Sequence, residues 1–196
     1  MEARRPLVLA STSQYRRQLL ERLRVPFLCA APQTDETPAP GESPAETASR
    51  LARAKAHAVT AAHPDALIIG SDQVACLGAQ RLDKPGTHAV AVAQLTALSG
   101  RTAEFHTAVC LLDARSAAAT TELVTCRVTF RLLDAATIEA YLRREQPYDC
   151  AGSAKSEGLG IALIERIDSP DPTALIGLPL TTLCAMLARA GAPVLP

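Results

Sequence analysis

The sequence of 196 residues contains no tryptophan, and aromatic side chains make up only 3% of it, so each ring that falls in a motif carries more weight than usual. Net charge is absent too. Twenty basic residues balance twenty acidic ones, which argues against holding a long nucleic-acid polymer by bulk electrostatics. A small anionic ligand stays compatible, since it needs only a local cluster of positive charge. Long apolar runs are also missing. Nothing approaches the roughly 20 apolar residues of a membrane span. The run Leu7–Ala10 behind the basic start "MEARRP" falls short of the roughly 7–15 residues of a secretory signal, and reads instead as a buried strand. The six cysteines (Cys29, Cys76, Cys110, Cys126, Cys150, Cys184) show no C-x-x-C or metal-finger spacing. They read as buried, reduced thiols in a reducing cytoplasm. The histidines His57, His63, His88 and His106 lack ligand spacing, so no zinc site is expected. Neither a phosphate-binding P-loop pattern nor a G-x-S-x-G elbow is present.

What is present is the composition of a globular protein, 48% hydrophobic and 20% charged. The length suits one domain over residues 1–196, or two lobes sharing a core. Leu7–Ala10 leads directly into a helical pattern over 14–24, and a short strand is expected over 26–32. The acidic, proline-rich stretch 33–46 reads as a loop. It closes in Ser43-Pro44-Ala45-Glu46, a helix start with serine as cap and glutamate at the third position, for a helix running to about His63. "ALIIGSD" (66–72) reads as a strand with a short continuation "QVACL", followed by a loop over 78–86 and a helix over 87–98. Across Val124–Leu132 apolar and polar residues alternate strictly, giving a sheet with one buried and one wet face. Asp134 can cap a helix to about Arg144; a small-residue loop (150–160), a strand near 161–167 and a last helix over 180–190 complete the chain. Helices and strands interleave throughout. The class is therefore α/β, with a mixed, partly antiparallel sheet flanked by helices. Two lobes around a substrate cleft would suit the long polar loops.

Chemistry concentrates in the loops. "STSQYRR" (11–17) lies at a strand-to-helix junction, where free N–H groups, hydroxyls and arginines can cradle a phosphate; a serine cap followed by solvent-facing arginines explains it equally well. Asp72 ends a buried strand, a usual place for a catalytic acid, while an Asx turn is the plainer reading. Asp35-Glu36 could join it on a divalent metal or form a solvated turn. Lys55 and Lys84, taken singly, read as solvated. Lys155 and Glu157 share a glycine-rich loop where backbone can approach a ligand. Together these residues suit metal-dependent chemistry on a phosphorylated small molecule.

Seven stretches in order, "LASTSQYRRQLL", "DE" at 35–36, "RLARAKA", "IIGSDQV", "DKP", "AGSAKSEGLGI" and "DPTALIGLPL", resemble the Maf family of nucleoside triphosphate pyrophosphatases. The resemblance runs from about Leu7 to Leu187. It implies a two-lobed Maf/inosine-triphosphatase-like fold and hydrolysis between the α- and β-phosphates with a divalent metal cation, Mg²⁺ or Mn²⁺. Asp72 falls on the family's general base. Ser11, Arg16, Arg17, Lys55, Lys84 and Lys155 fall on its phosphate-binding positions, and Glu36 joins Asp72 as a metal ligand. At the three positions that divide the family by base, this chain has Tyr15, Gln73 and Glu157. That triplet is similar to the branch acting on 7-methyl-GTP, typically Trp, Gln and Glu, and unlike the Arg, Thr and Gln of the dTTP/UTP branch. The chemistry agrees: a ring stacks on a cationic methylated guanine, and a carboxylate accepts from its N1–H and N2–H₂ edge. Gln14 and Tyr15 replace the usual Pro and Trp, and Ala108 a common Gly. The implied role is clearing modified nucleotides from the pool, with a small-molecule nucleotide as partner, no nucleic-acid polymer and no membrane; a homodimer stays open. The alternatives are hydrolysis of other triphosphates such as dTTP or UTP, or a division-related regulatory protein that binds nucleotide.

Overall fold

A computed structural model describes residues 5–195; residues 1–4, part of the signal-peptide reading, and residue 196 lie outside it. The first strand, β1 (Leu7–Ala10), is buried along its whole length. It pairs in parallel with β2 (Leu28–Ala30) on one side and with β3 (Leu67–Leu77) on the other. A continuous apolar run is what a strand buried on both faces shows. Between β1 and β2 lies α1 (Gln14–Glu21), capped by the Ser13 side chain, which accepts from the Arg16 N–H. This helix stops before the expected Arg24, whose backbone turns left-handed at φ 52°.

Helix α2 (Pro44–Ala58) starts on the expected capping box, with Ser43 and Glu46 satisfying each other's backbone N–H groups. It ends sooner than expected, and Thr60–Ala62 continue as a 3-10 turn. Strand β3 is one unbroken element rather than a strand with a separate continuation, and its end pairs antiparallel with a short β4 (Gln80–Arg81) inside the expected loop. Helix α3 (His88–Leu98) follows its Thr87 cap.

The two long strands are β5 (Thr102–Asp113) and β6 (Ala119–Phe130). Val124, Cys126, Val128 and Phe130 are buried, as their alternation implies. Leu132 departs from that pattern and is 89% exposed. The strand has already ended, and the Arg131 N–H is given to the Leu163 carbonyl instead. Helix α4 (Ala135–Glu145) is capped by Asp134, and β7 (Ile164–Asp168) pairs antiparallel with β6. β7 begins later than the sequence suggests because Leu159–Leu163 coil into a 3-10 turn that leaves Ile161 exposed. The last helix is α5 (Leu180–Arg189).

Among the described residues the strands form one seven-stranded mixed sheet in the order β2-β1-β3-β5-β6-β7, with β4 beside β3, and five α-helices accompany it. The described residues divide into two compact units, 5–73, 107–124 and 171–195 in the first and 74–106 and 125–170 in the second. The first buries Leu9, Leu20, Leu67, Ile69, Leu183 and Leu187 in one cluster. The second buries Leu95 and Leu98 of α3, Leu142 of α4, and Phe105 and Phe130 of the strands. No helix among the described residues is long and apolar enough to cross a membrane. All six cysteines are free, but only Cys76, Cys110 and Cys126 are buried; Cys29 is exposed, and Cys150 and Cys184 are half-buried, contrary to the expectation of uniformly buried thiols. Cys29 lies on the edge strand β2, which has a neighbour on one side only.

Candidate active site

In the first unit, β3 carries Asp72 and Gln73, Ser11 follows β1, Tyr15, Arg16 and Arg17 lie on α1, and Lys55 lies on α2. At Gly70 on β3 an added Cβ would lie 2.1 Å from the Ala52 carbonyl oxygen and 2.8 Å from the Ala56 nitrogen. Only glycine lets α2 lie this close to the strand. That contact brings Lys55 of α2 to Asp72, two residues beyond Gly70. Lys55 is buried, not solvated, and its Nζ donates to Asp72 Oδ1 at 2.6 Å and reaches Glu36 Oε1 at 2.7 Å. Asp72 is buried as well, so this is a paired acid and not an Asx turn. A buried charge is tolerated when it is paired and hydrogen-bonded.

Arg16 joins the same neighbourhood. Its Nε donates to the Gly177 carbonyl at 2.9 Å. Burial lowers its pKa, while the charges of Asp72 and Glu36 raise it; a guanidinium stays charged in any case. Ser11 is buried and its Oγ accepts from the Ser13 N–H at 3.1 Å. Arg17 is not brought to this cluster: it is exposed and pairs with Glu21 one turn along α1 at 3.0 Å. Asp35 turns back to accept from the Thr37 N–H, the solvated-turn reading, and hydrogen bonds from the Thr37 side chain and N–H hold its carboxyl below the ordinary range.

Gln73 is held from one side. Its Nε2 lies 3.0 Å from each of the Ala174 and Leu175 carbonyl oxygens and 2.8 Å from Thr107 Oγ1. Carbonyls only accept, so the NH₂ end must face them, and its two hydrogens are spent there. Oε1 is the end left to act as an acceptor. Tyr15, partly buried, opens α1.

The segment supplying those carbonyls was not foreseen as a structural part of the site. Asp171 is 1% exposed. Its Oδ1 accepts from the Thr173 N–H and hydroxyl, and its Oδ2 from the Thr182 N–H and hydroxyl. This tie folds residues 171–182 so that Gly177, at φ 117°, offers its carbonyl to Arg16 and to the Ser71 hydroxyl at 2.9 Å. Ser71 also lies 2.8 Å from the carbonyl of Ala108. The motif "DPT" was visible, but acceptance by backbone carbonyls leaves no mark on a sequence.

In the second unit Lys84 and Glu157 are exposed. Lys155 reaches Glu145 at 3.1 Å, and its N–H donates to the Tyr141 hydroxyl. Pairing with Glu145 raises the Lys155 pKa, and burial pushes the Tyr141 hydroxyl up. Glu145 Oε2 also accepts from the Leu159 N–H at 2.7 Å, which ties both arms of the glycine-rich loop to α4.

A sheet-based α/β fold thus gathers Lys55, Asp72, Glu36 and the Arg16 guanidinium in one neighbourhood, a set of acid–base and cationic groups. The family model described as Maf-like protein matches residues 6–190, and the chain belongs to the Maf family. It is 59% identical to the 7-methyl-GTP pyrophosphatase of Ralstonia nicotianae, over 97% of this chain and 98% of the relative. It is 60% identical to the protein of that name from Thiobacillus denitrificans, over 96% of this chain and 94% of that protein. The corresponding figures for Polaromonas sp. are 59%, 95% and 85%.

Proposed function

We propose that this chain hydrolyses 7-methyl-GTP to 7-methyl-GMP and pyrophosphate, clearing a modified nucleotide in a reducing cytoplasm. The observation that carries the chemistry is Lys55 buried between Asp72 and Glu36, with the Arg16 guanidinium nearby. The base preference rests on the relatives' names and on Tyr15, Gln73 and Glu157.

In this reading a water attacks the α-phosphorus. Asp72 accepts its proton, a new P–O bond forms, and the bond to the bridging oxygen breaks so that its electron pair leaves with pyrophosphate. Asp72 Oδ1 is fixed by Lys55, which leaves Oδ2 to take the proton. Arg16, Lys55, Lys84 and Lys155 offset charge on the triphosphate and the departing pyrophosphate; Ser11 supplies a hydroxyl at the strand-to-helix turn. Arg17 can contribute only after leaving Glu21. Asp72 and Glu36 both meet the Lys55 ammonium, at 2.6 and 2.7 Å; oxygen donors of this type suit Mg²⁺ or Mn²⁺, and an ion would share the two carboxylates with Lys55. Such an ion, when bound, supplies charge neutralisation at the phosphates. Tyr15 stacks on the cationic base, Glu157 accepts from the guanine N1–H and N2–H₂ edge, and Gln73 presents Oε1 as a further acceptor.

Turnover of 7-methyl-GTP in isotopically labelled water with Mg²⁺ tests the reaction. The label is expected in 7-methyl-GMP and not in pyrophosphate. Label in the pyrophosphate, or release of inorganic phosphate and a diphosphate, would sink the reading.

A further inference from the structure

The glutamate and histidine of "TAEFH" on β5 lie on the wet side of the strand, alternating with buried Ala103 and Phe105. Cys76 of the neighbouring β3 meets them there. Its Sγ is 3.7 Å from His106 Nε2, and His106 Nε2 is 3.6 Å from Glu104 Oε2. All three potential donor atoms lie within 4.8 Å of one another. We infer that Cys76, Glu104 and His106 form a binding site for a borderline-soft divalent cation of the zinc type, independent of the nucleotide chemistry.

Three observations support it. The spacing is close to the edges of a tetrahedron: zinc with sulfur at about 2.3 Å and nitrogen or oxygen at about 2.0 Å separates its ligands by roughly 3.3–3.6 Å. The Cys76–His106 and His106–Glu104 separations come within a few tenths of an ångström of that range, and the Cys76–Glu104 pair lies within 4.8 Å. The outer partners are also those of a metal-ligating set. His106 Nδ1 lies 3.0 Å from Thr125 Oγ1 on β6; donation there leaves the Nε2 lone pair turned toward Cys76. Glu104 gives its other oxygen, Oε1, to Arg127 Nε at 3.1 Å, which keeps Oε2 toward the histidine. Access is the third: Cys76 is buried, whereas the Glu104 side chain is 39% exposed, so an ion and a fourth ligand water can enter from that side.

A sulfur–nitrogen–oxygen set prefers Zn²⁺ or Co²⁺ over Mg²⁺, the reverse of the all-oxygen pair at Asp72 and Glu36. Binding forms a thiolate–metal bond and releases the thiol proton to solvent. The ion would join β3 to β5 within the second unit. Spacing in the sequence could not reveal it, because the cysteine and the other two ligands lie on different strands and only sheet pairing brings them together.

The test titrates the chelator-stripped, full-length protein with Co²⁺ in the presence of excess Mg²⁺. One equivalent is expected to bind with a thiolate-to-cobalt charge-transfer band, which Zn²⁺ then removes. Cys76→Ser should lose the band, and Thr125→Val should weaken binding about 10–100-fold. Absence of the band from the folded wild type, or a band of equal strength in Cys76→Ser, overturns the proposal. Glu104→Gln changes a surface residue and leaves the fold intact, so it decides the matter even where Cys76→Ser does not fold: weakening by about tenfold or more supports the site, and unchanged affinity overturns it.

Discussion

At the scale of single residues, Lys55 has most depending on it. Its ammonium is the partner of a buried carboxylate, and removing one member of such a pair leaves the other uncompensated. Lys55→Met is expected to lower stability by about 3 kcal/mol or more in denaturant unfolding, and to abolish turnover. Asp72→Asn keeps the shape and removes the proposed proton acceptor. It should fold, and lose about 10²–10⁴ in kcat/KM; a variant retaining wild-type hydrolysis would show that Asp72 is not the base. Tyr15 is the proposed stacking ring, and tryptophan is the stronger cation–π partner. Tyr15→Trp should raise kcat/KM for 7-methyl-GTP over GTP by roughly two- to fivefold, the equivalent of about 0.5–1 kcal/mol. No change in that ratio would remove the ring from base recognition.

At the scale of elements, the site depends on how closely α2 lies on β3. Gly70→Ala would put a methyl group 2.1 Å from the Ala52 carbonyl, so α2 must move and carry Lys55 away from Asp72. Such overpacking costs about 1–3 kcal/mol. The expected result is a lower unfolding midpoint together with a fall in kcat/KM; an unaffected enzyme would mean that the helix position does not matter. Helix starts were legible in the sequence because caps are local: Ser13, Ser43, Thr87 and Asp134 each accept from an N–H three residues ahead. Ends were less legible. Alternation carries on through Leu132, yet the strand stops at Phe130, because where a strand loses its partner depends on other parts of the chain. Within the site, Asp72 could be read from its place at the end of an apolar run. Lys55 looked solvated until the packing at Gly70 was known, and the tie from Asp171 to Thr173 and Thr182 joins residues whose types signal nothing by themselves.

At the scale of the whole molecule, stability against acid rests partly on carboxylates held by arginines. Contacts with Arg50, the Ala39 N–H and the Thr47 hydroxyl hold the Glu42 carboxyl at about 2, down from 4.5. A depressed carboxyl contributes stability that is complete above the ordinary value and lost as pH falls through the folded one. Glu42→Gln should therefore be less stable than wild type above about pH 4.5, and the two should converge as pH falls toward about 2. A difference independent of pH would place the contribution elsewhere. The balanced net charge fits a protein that concentrates positive charge locally for one small anion. In the proposed function that anion is 7-methyl-GTP. The most direct measurement compares kcat/KM across 7-methyl-GTP, GTP, dTTP and UTP for the wild type and Glu157→Gln. 7-Methyl-GTP is expected to lead in the wild type, and the lead is expected to shrink in the variant. A wild type that turns over dTTP or UTP faster than 7-methyl-GTP would contradict it.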